Sequence, residues 1–315
     1  MKRIVTQIVM VLVCHCLAIA QTYKADTIRF AGEKSIKLVI LGDGYTASEM
    51  TRFEDEAVEL ADSLFSHTPW KEYENYFSVF MVKTPSNVTG AGLTPDAPID
   101  NFYGTTFGYA GVDRMPWPSK YSKVYEVLRA AVPDYDHPIM LVNFDKYGGA
   151  GGSLICTSNY KRGYWQNDYF QTLVHELGHS VGGLADEYWY NGSERPNQTR
   201  ESDPSQVKWR SWVGDEGIGV YPYEENAESM SWYRPHQKCL MRYLGKPYCA
   251  VCRQTLIKKI HREVDVITNY SPKIEGKSSV LLTLDQTYND GLDKFVEGLK
   301  PFGITDERAT FIHTD

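Results

Sequence analysis

Across 315 residues the chain carries 33 Lys and Arg against 40 Asp and Glu, a formal net charge of −7. That acidic balance argues against nucleic acid or an anionic membrane surface as a partner, because both need a basic face. With 42% hydrophobic and 13% aromatic residues, the chain can bury a full core and reads as one large globular domain.

Residues 1–20 read as a secretory signal. Lys2 and Arg3 form a basic start, the run to Ile19 is mostly apolar, and Ala18-Ile19-Ala20 is a small-x-small cleavage site. A membrane anchor would need a longer apolar run, free of Gln7 and His15. The expectation is an exported protein without a membrane span, placed in the periplasm, on the cell surface or outside the cell.

Ile36 to Leu41 is a continuous apolar run that ends at Gly42, the pattern of a buried strand. Thr46-x-x-Glu49 is a capping box, and Met50, Phe53, Ala57, Leu60, Ala61 and Leu64 then keep helical period to about Ser66. Gly42-x-Gly44-x-x-Ala47 matches a degenerate dinucleotide fingerprint, but the acidic residue expected at the end of a second strand is missing. A tight strand-to-helix turn accounts for these glycines.

Phe77 to Val82 reads as a second strand, Ser122 to Val132 as a second helix and Ile139 to Phe144 as a third strand. Residues 84–118 between them are too long for a plain connection and predict a functional or cation-braced loop. Asp96, Asp100 and Asp113 are its candidates for a structural Ca2+, although no ligand spacing supports one, and solvated carboxylates are the simpler reading. The glycine run Tyr147 to Gly152 follows the third strand and marks a close backbone approach.

The stretch Tyr169 to Tyr188 holds His175-Glu176-Leu177-Gly178-His179. Residues four apart share a helix face, so both imidazoles can reach one metal ion, while Glu176 is placed to act on a water. Two neutral imidazoles plus a third ligand suit one catalytic Zn2+. Phe170, Leu173, Val174 and Leu177 form the apolar stripe, Asn167 or Asp168 is the N-cap, and Gly182-Gly183 ends the helix. The metzincin pattern, His-Glu-x-x-His-x-x-Gly-x-x-His closed below by a Met-turn, places its Gly at Gly182 but its third ligand at Ala185. One inserted residue, Gly183, moves the ligand to Asp186, with Glu187 as the runner-up.

Trp189, Trp209, Trp212, Tyr221, Tyr223, Trp232 and Tyr233 make residues 189–238 aromatic but irregular, more consistent with packing than with a cleft lining. After the signal, Cys156, Cys239, Cys249 and Cys252 remain. An even count in an oxidising compartment predicts two disulfides in one of three pairings. The competing reading is a zinc knuckle of Cys239, Cys249, Cys252 and His236. Cys239-Leu240-Met241-Arg242-Tyr243 fits a Met-turn, with Met241 as a floor beneath the metal. Cys252 to Ile267 reads as a last amphipathic helix, and Ser279 to Leu284 as a short strand in the tail.

HELGHSVGGLADEY, LGDGYTASEM (41–50), NFDKYGGAGG (143–152) and CLMRY (239–243) occur in this order, and together they resemble the bacterial IgA-peptidase family of metzincin-like zinc peptidases. The resemblance spans about residues 36–268. It implies an α/β zincin catalytic domain: a twisted mixed sheet with helices over it and a loop-rich lower subdomain. It also implies metal ligands His175, His179 and Asp186, Glu176 as general base, and an edge strand at the glycine run that pairs with substrate backbone. In some metzincins a Tyr two residues after the Met reaches the metal or the oxyanion, which would give Tyr243 that part. The expected plan is a signal at 1–20, a catalytic domain at 21–272 and a C-terminal extension at 273–315. The expected substrate is a peptide or protein, glycoproteins included. The alternative is a non-catalytic glycan- or protein-binding module on a zincin scaffold, which would be expected to lose Glu176 or a ligand.

Overall fold

The computed structural model describes residues 23–160, 168–188, 193–223, 230–264, 280–285 and 309–314. β1 (Ala25–Arg29) leads to β2 (Ile36–Asp43), α1 (Met50–Leu64) and β3 (Phe77–Val82). A long loop carries the short pair β4 (Thr105–Thr106) and β5 (Trp117–Pro118) before α2 (Tyr121–Ala131) and β6 (His137–Val142). Then come β7 (Gly149–Ala150), β8 (Ile155–Ser158) and α3 (Asp168–Ser180). β9 (Tyr221–Pro222) pairs with β10 (Tyr233–Arg234), and α4 (Ala250–Glu263) follows. In the tail, β11 (Val280–Asp285) pairs in parallel with β12 (Ala309–Thr314).

The result is a mixed α/β fold, with four α-helices among the described residues and a central sheet in the order β1-β3-β2-β6-β8-β7. Its inner strands run parallel, and the antiparallel β1 and β7 close the two edges. The expected strands at 36–41 and 77–82 and the first two helices form within a few residues of their sequence signals. The third expected strand starts earlier, at His137, because register with β2 begins at Leu38. The last helix begins at Ala250 rather than Cys252 and ends at Glu263. The signal segment, Asn167 and Trp189 lie outside the described residues.

Strand alternation sorts the core into two layers. Ile36, Leu38 and Ile40 of β2, with Ile139, Leu141 and Ile155, face α1, α3 and α4. Val39, Leu41, Met140, Val142 and Cys156 face α2 and the long loop, where Tyr103 and Phe107 pack. β1 gave no sequence signal because each of its residues is only half-buried or less, so no apolar run marks it.

Asp43 ends β2 fully buried and organises the long loop. It accepts hydrogen bonds from the N–H groups of Gly44, Tyr103 and Thr105, each at 3.0 Å, and from the Ser86 hydroxyl at 3.2 Å. Burial pushes its carboxyl up, and these donors pull it back. Gly44 has φ +77°, and a Cβ there would overlap the Gly90 carbonyl. The space a dinucleotide phosphate would need is therefore filled by the loop. The capping box forms as expected, with the Thr46 N–H donating to Glu49 Oε2 at 2.9 Å.

Asp43→Asn should destabilise the protein by about 2–3 kcal/mol, because the new amide must point donors at donors in a buried site. Urea unfolding checks this, and an unchanged midpoint would mean that the loop is held by packing alone.

Candidate metal centre

Phe170, Leu173, Val174 and Leu177 bury one side of α3 in the core layer shared with α1 and α4. That packing sets the helix rotation and turns His175, Glu176 and His179 towards the cleft. The helix ends as the sequence suggested: Gly183 takes the left-handed conformation at φ +62°. Its N–H donates to the His179 carbonyl at 3.0 Å, and the Leu184 N–H donates to the Gly178 carbonyl at 3.1 Å. The chain then doubles back and delivers Asp186.

The three side chains converge. His175 Nε2 lies 3.2 Å from His179 Nε2 and 3.0 Å from Asp186 Oδ1, and His179 Nε2 lies 3.4 Å from the same oxygen. Ligands about 2.0–2.1 Å from a tetrahedral ion stand about 3.4 Å apart, so this donor set fits one zinc. Each Nδ1 faces a backbone carbonyl, Leu240 at 3.1 Å for His175 and Leu184 at 2.7 Å for His179. A carbonyl can only accept, so Nδ1 carries a proton and Nε2 is the nitrogen that faces inward on both rings. Burial disfavours a charged His179, but its hydrogen bond and charge interaction with Asp186 win and push it up to about 9. Burial likewise favours neutral Asp186, yet the two imidazoles hold its carboxyl well below the usual carboxylate range. Asp186 is thus held as a carboxylate among positive charge, a place that a divalent cation would also suit.

Glu176 does not join these three side chains. It is buried, which pushes its carboxyl up, while the charges of His175 and His179 pull it part of the way back. The glycine run passes directly over it: a Cβ on Gly151 would overlap Glu176 Oε2, and one on Gly149 would overlap Thr172. Side chains at those positions would fill the space beside the carboxylate. β7 is the end strand of the sheet, paired with β8.

A cleft of about 610 Å³ opens beside His175 and Glu176, with Arg114, Tyr147, Tyr188 and Tyr243 among its walls. An adjoining space of about 340 Å³ runs past Gly149–Gly152 to His179 and Asp186. Tyr243 is 46% exposed and its ring lies under the Arg242 guanidinium. Two residues that the sequence reading missed stand on both spaces, Arg114 and Tyr188, within 3.5 Å of each other. Arg114 comes from the long loop, which packs its backbone against Gly148. No local motif marks it. Tyr188 follows Asp186 and Glu187 directly and could have been suspected from that position.

Asp186 and Glu187 point to different places, as adjacent residues in an extended loop do. Glu187 is fully buried on the far side of the loop, where Asn197 Nδ2 donates to its Oε1 at 3.0 Å. Tyr223 OH donates to the Asp186 carbonyl at 3.0 Å. The same aromatic stretch buries Trp209, Trp212 and Trp232, so those residues are packing.

The two expected disulfides are not formed, and all four cysteines are free buried thiols. Cys156 lies on the opposite face of the sheet from the other three, which rules out any scheme of two bridges. The loop aspartates are dispersed: Asp100 accepts from Asn87 at 2.7 Å and Asp113 from Lys146 at 2.9 Å, with no calcium-like cluster of these residues. Among the described residues no helix is long and apolar enough to cross a membrane.

A family model described as IgA Peptidase M64 matches residues 28–229, well over half of the chain. The chain belongs to the IgA peptidase M64 family. No curated protein matches it. The M64 match takes in β2, the glycine run, α3 and the Asp186 loop, and it ends before the turn that carries Met241. Membership makes the protein a peptidase, and the metallopeptidase character of the family agrees with the candidate ligand cluster.

Met241 is fully buried under α3 of this M64 chain, where a Cβ on Gly178 would come within 2.7 Å of its sulfur and 3.1 Å of the Tyr248 hydroxyl. Gly→Ala inside a helix ordinarily gains up to about 1 kcal/mol. Gly178→Ala should instead lose about 1–3 kcal/mol through overpacking. Thermal unfolding decides the sign, and a stabilised variant would show that the turn does not press on the helix.

Proposed function

We propose that this protein is an exported zinc endopeptidase with a zincin-type catalytic domain. The observation that carries the reading is the convergence of His175, His179 and Asp186 beside the separate, buried carboxylate of Glu176. Family membership supports peptide-bond hydrolysis and leaves the substrate open, with glycoproteins among the candidates.

His175 Nε2, His179 Nε2 and Asp186 Oδ1 would hold the zinc. When bound there, zinc supplies a Lewis acid that polarises the scissile carbonyl and makes a water nucleophilic near neutral pH. Glu176 takes the proton from the attacking water and hands it to the leaving amine. Its buried setting raises its proton affinity, which suits a group that must both accept and release a proton near neutrality. The outer edge of β7 offers backbone groups to an extended substrate, and glycines at 149 and 151 let this segment lie close to the carboxylate. Arg114 and Tyr188 present donors to the same cleft, where negative charge develops on the carbonyl oxygen as water attacks. Tyr243, the donor suggested by resemblance, lines the larger space but not the one beside Asp186, and is more exposed than Tyr188.

Zinc-loaded protein should cleave a library of denatured-protein peptides. Glu176→Gln should keep its full zinc content and lose about 10²–10⁴ of the rate. A Glu176→Gln variant that works at the parental rate would remove Glu176 from the base role. Asp186→Ala should lose metal from the histidine site along with activity. Full retention of metal in that variant would show that Asp186 is not a ligand.

A further inference from the structure

A second group of metal-competent side chains lies behind the first. Glu187, Cys239, Cys249 and Cys252 bring one ligand atom each to within 4.8 Å of all the others, and all four residues are buried. Cys239 Sγ and Cys252 Sγ are 3.7 Å apart, and Cys252 Sγ is 3.4 Å from Glu187 Oε1. A disulfide bond would need sulfurs about 2.05 Å apart. Around a tetrahedral zinc with Zn–S near 2.3 Å and Zn–O near 2.0 Å, sulfur–sulfur edges are about 3.8 Å and sulfur–oxygen edges about 3.5 Å.

We propose that Cys239, Cys249, Cys252 and Glu187 hold a second, structural zinc that pins the Asp186 loop to the Met241 turn and to the start of α4. Three further observations point the same way. Glu187 Oε2 is fully buried and has no hydrogen-bond partner among the described residues, an arrangement that costs several kcal/mol unless a cation compensates it. Cys249 and Cys252 have the C-x2-C spacing of zinc knuckles, and Cys249 is the N-cap of α4, a helix of 14 residues whose positive end favours thiolates. The Cys249 N–H donates to Cys239 Sγ at 3.3 Å, a bond that a coordinated thiolate accepts well. His236 was the fourth ligand of the knuckle read from sequence. It is instead occupied with the Lys238 N–H at 3.0 Å, and Glu187 takes its place.

The position explains what the ion would do. Glu187 follows the candidate ligand Asp186, and its N–H donates to the Met241 carbonyl at 2.8 Å. Arg234 Nη1 donates to the Glu187 carbonyl at 3.2 Å. A closed site with four protein ligands leaves no open position for water, so its contribution is to stability and not to hydrolysis.

The test uses the full chain purified anaerobically, in the parent and in a His175→Ala/His179→Ala variant. Elemental analysis should find about two zinc ions per chain in the parent and about one in the variant, since a closed structural site binds independently of the histidines. Cobalt exchanged into the variant should give intense sulfur-to-cobalt charge-transfer absorption, lost on further Cys249→Ser/Cys252→Ser substitution. Thiol titration in denaturant with a chelator should find Cys156 and all three site cysteines reduced. A folded histidine variant without zinc, or a titration that finds two of the three thiols oxidised, would overturn the proposal. Failure of the hydrolytic reading would show in the parent's zinc content and activity, and would leave the histidine variant's zinc, its cobalt spectrum and the thiol titration untouched.

Discussion

The Nδ1–H groups of His175 and His179 each donate to a backbone carbonyl, Leu240 at 3.1 Å and Leu184 at 2.7 Å, and the aim of both imidazoles depends on where those carbonyls lie. Leu184 is placed by the glycine turn at the end of α3, and Leu240 by the Met241 turn beneath it. The helix supplies the spacing of the histidines, but the two loops supply their direction. The Glu187 N–H bonds to the Met241 carbonyl at 2.8 Å, so the same two loops also hold each other. A shift in either one moves a candidate ligand, its orienting partner and the floor together, which is why the packing of Gly178 against Met241 and Tyr248 matters to the site.

The four sequence motifs divide between scaffold and chemistry. Asp43 and Gly44, from the first motif, close the end of β2 onto the long loop. Asn143, from the glycine-run motif, donates to the Gly44 carbonyl at 2.7 Å and the Thr89 hydroxyl at 3.1 Å, and Arg52 bonds to its amide oxygen. These contacts hold together the carboxyl ends of β2 and β6 and the loop from which Arg114 reaches the cleft. The glycines that follow Asn143 bring β7 against Glu176. Asp43 and Asn143 therefore act on the site through backbone placement, without touching the ligand cluster.

Much of this was legible in the sequence, for reasons that are local. The i,i+4 spacing of His175 and His179 fixes a shared helix face, and Gly183 at positive φ accounts for the one-residue insertion that favours Asp186 over Glu187. The buried strands at 36–41 and 77–82 announce themselves as apolar runs. What failed was long-range. Counting cysteines predicted two disulfides, yet Cys156 is separated from the other three by the sheet, a consequence of strand alternation that parity cannot see. Arg114 reaches the cleft from a loop with no periodicity, and Glu187 joins three cysteines more than fifty residues downstream in sequence. Only tertiary packing brings either group together.

The central claim is that one metal ion sits among His175, His179 and Asp186. Anomalous diffraction from crystals of the zinc-loaded protein, collected on both sides of the zinc absorption edge, tests it most directly. The account predicts a zinc-specific peak within about 2.0–2.2 Å of His175 Nε2, His179 Nε2 and an Asp186 carboxylate oxygen. A zinc-loaded crystal with no peak at that point, or with the peak bound to the histidines while Asp186 turns away, would contradict it.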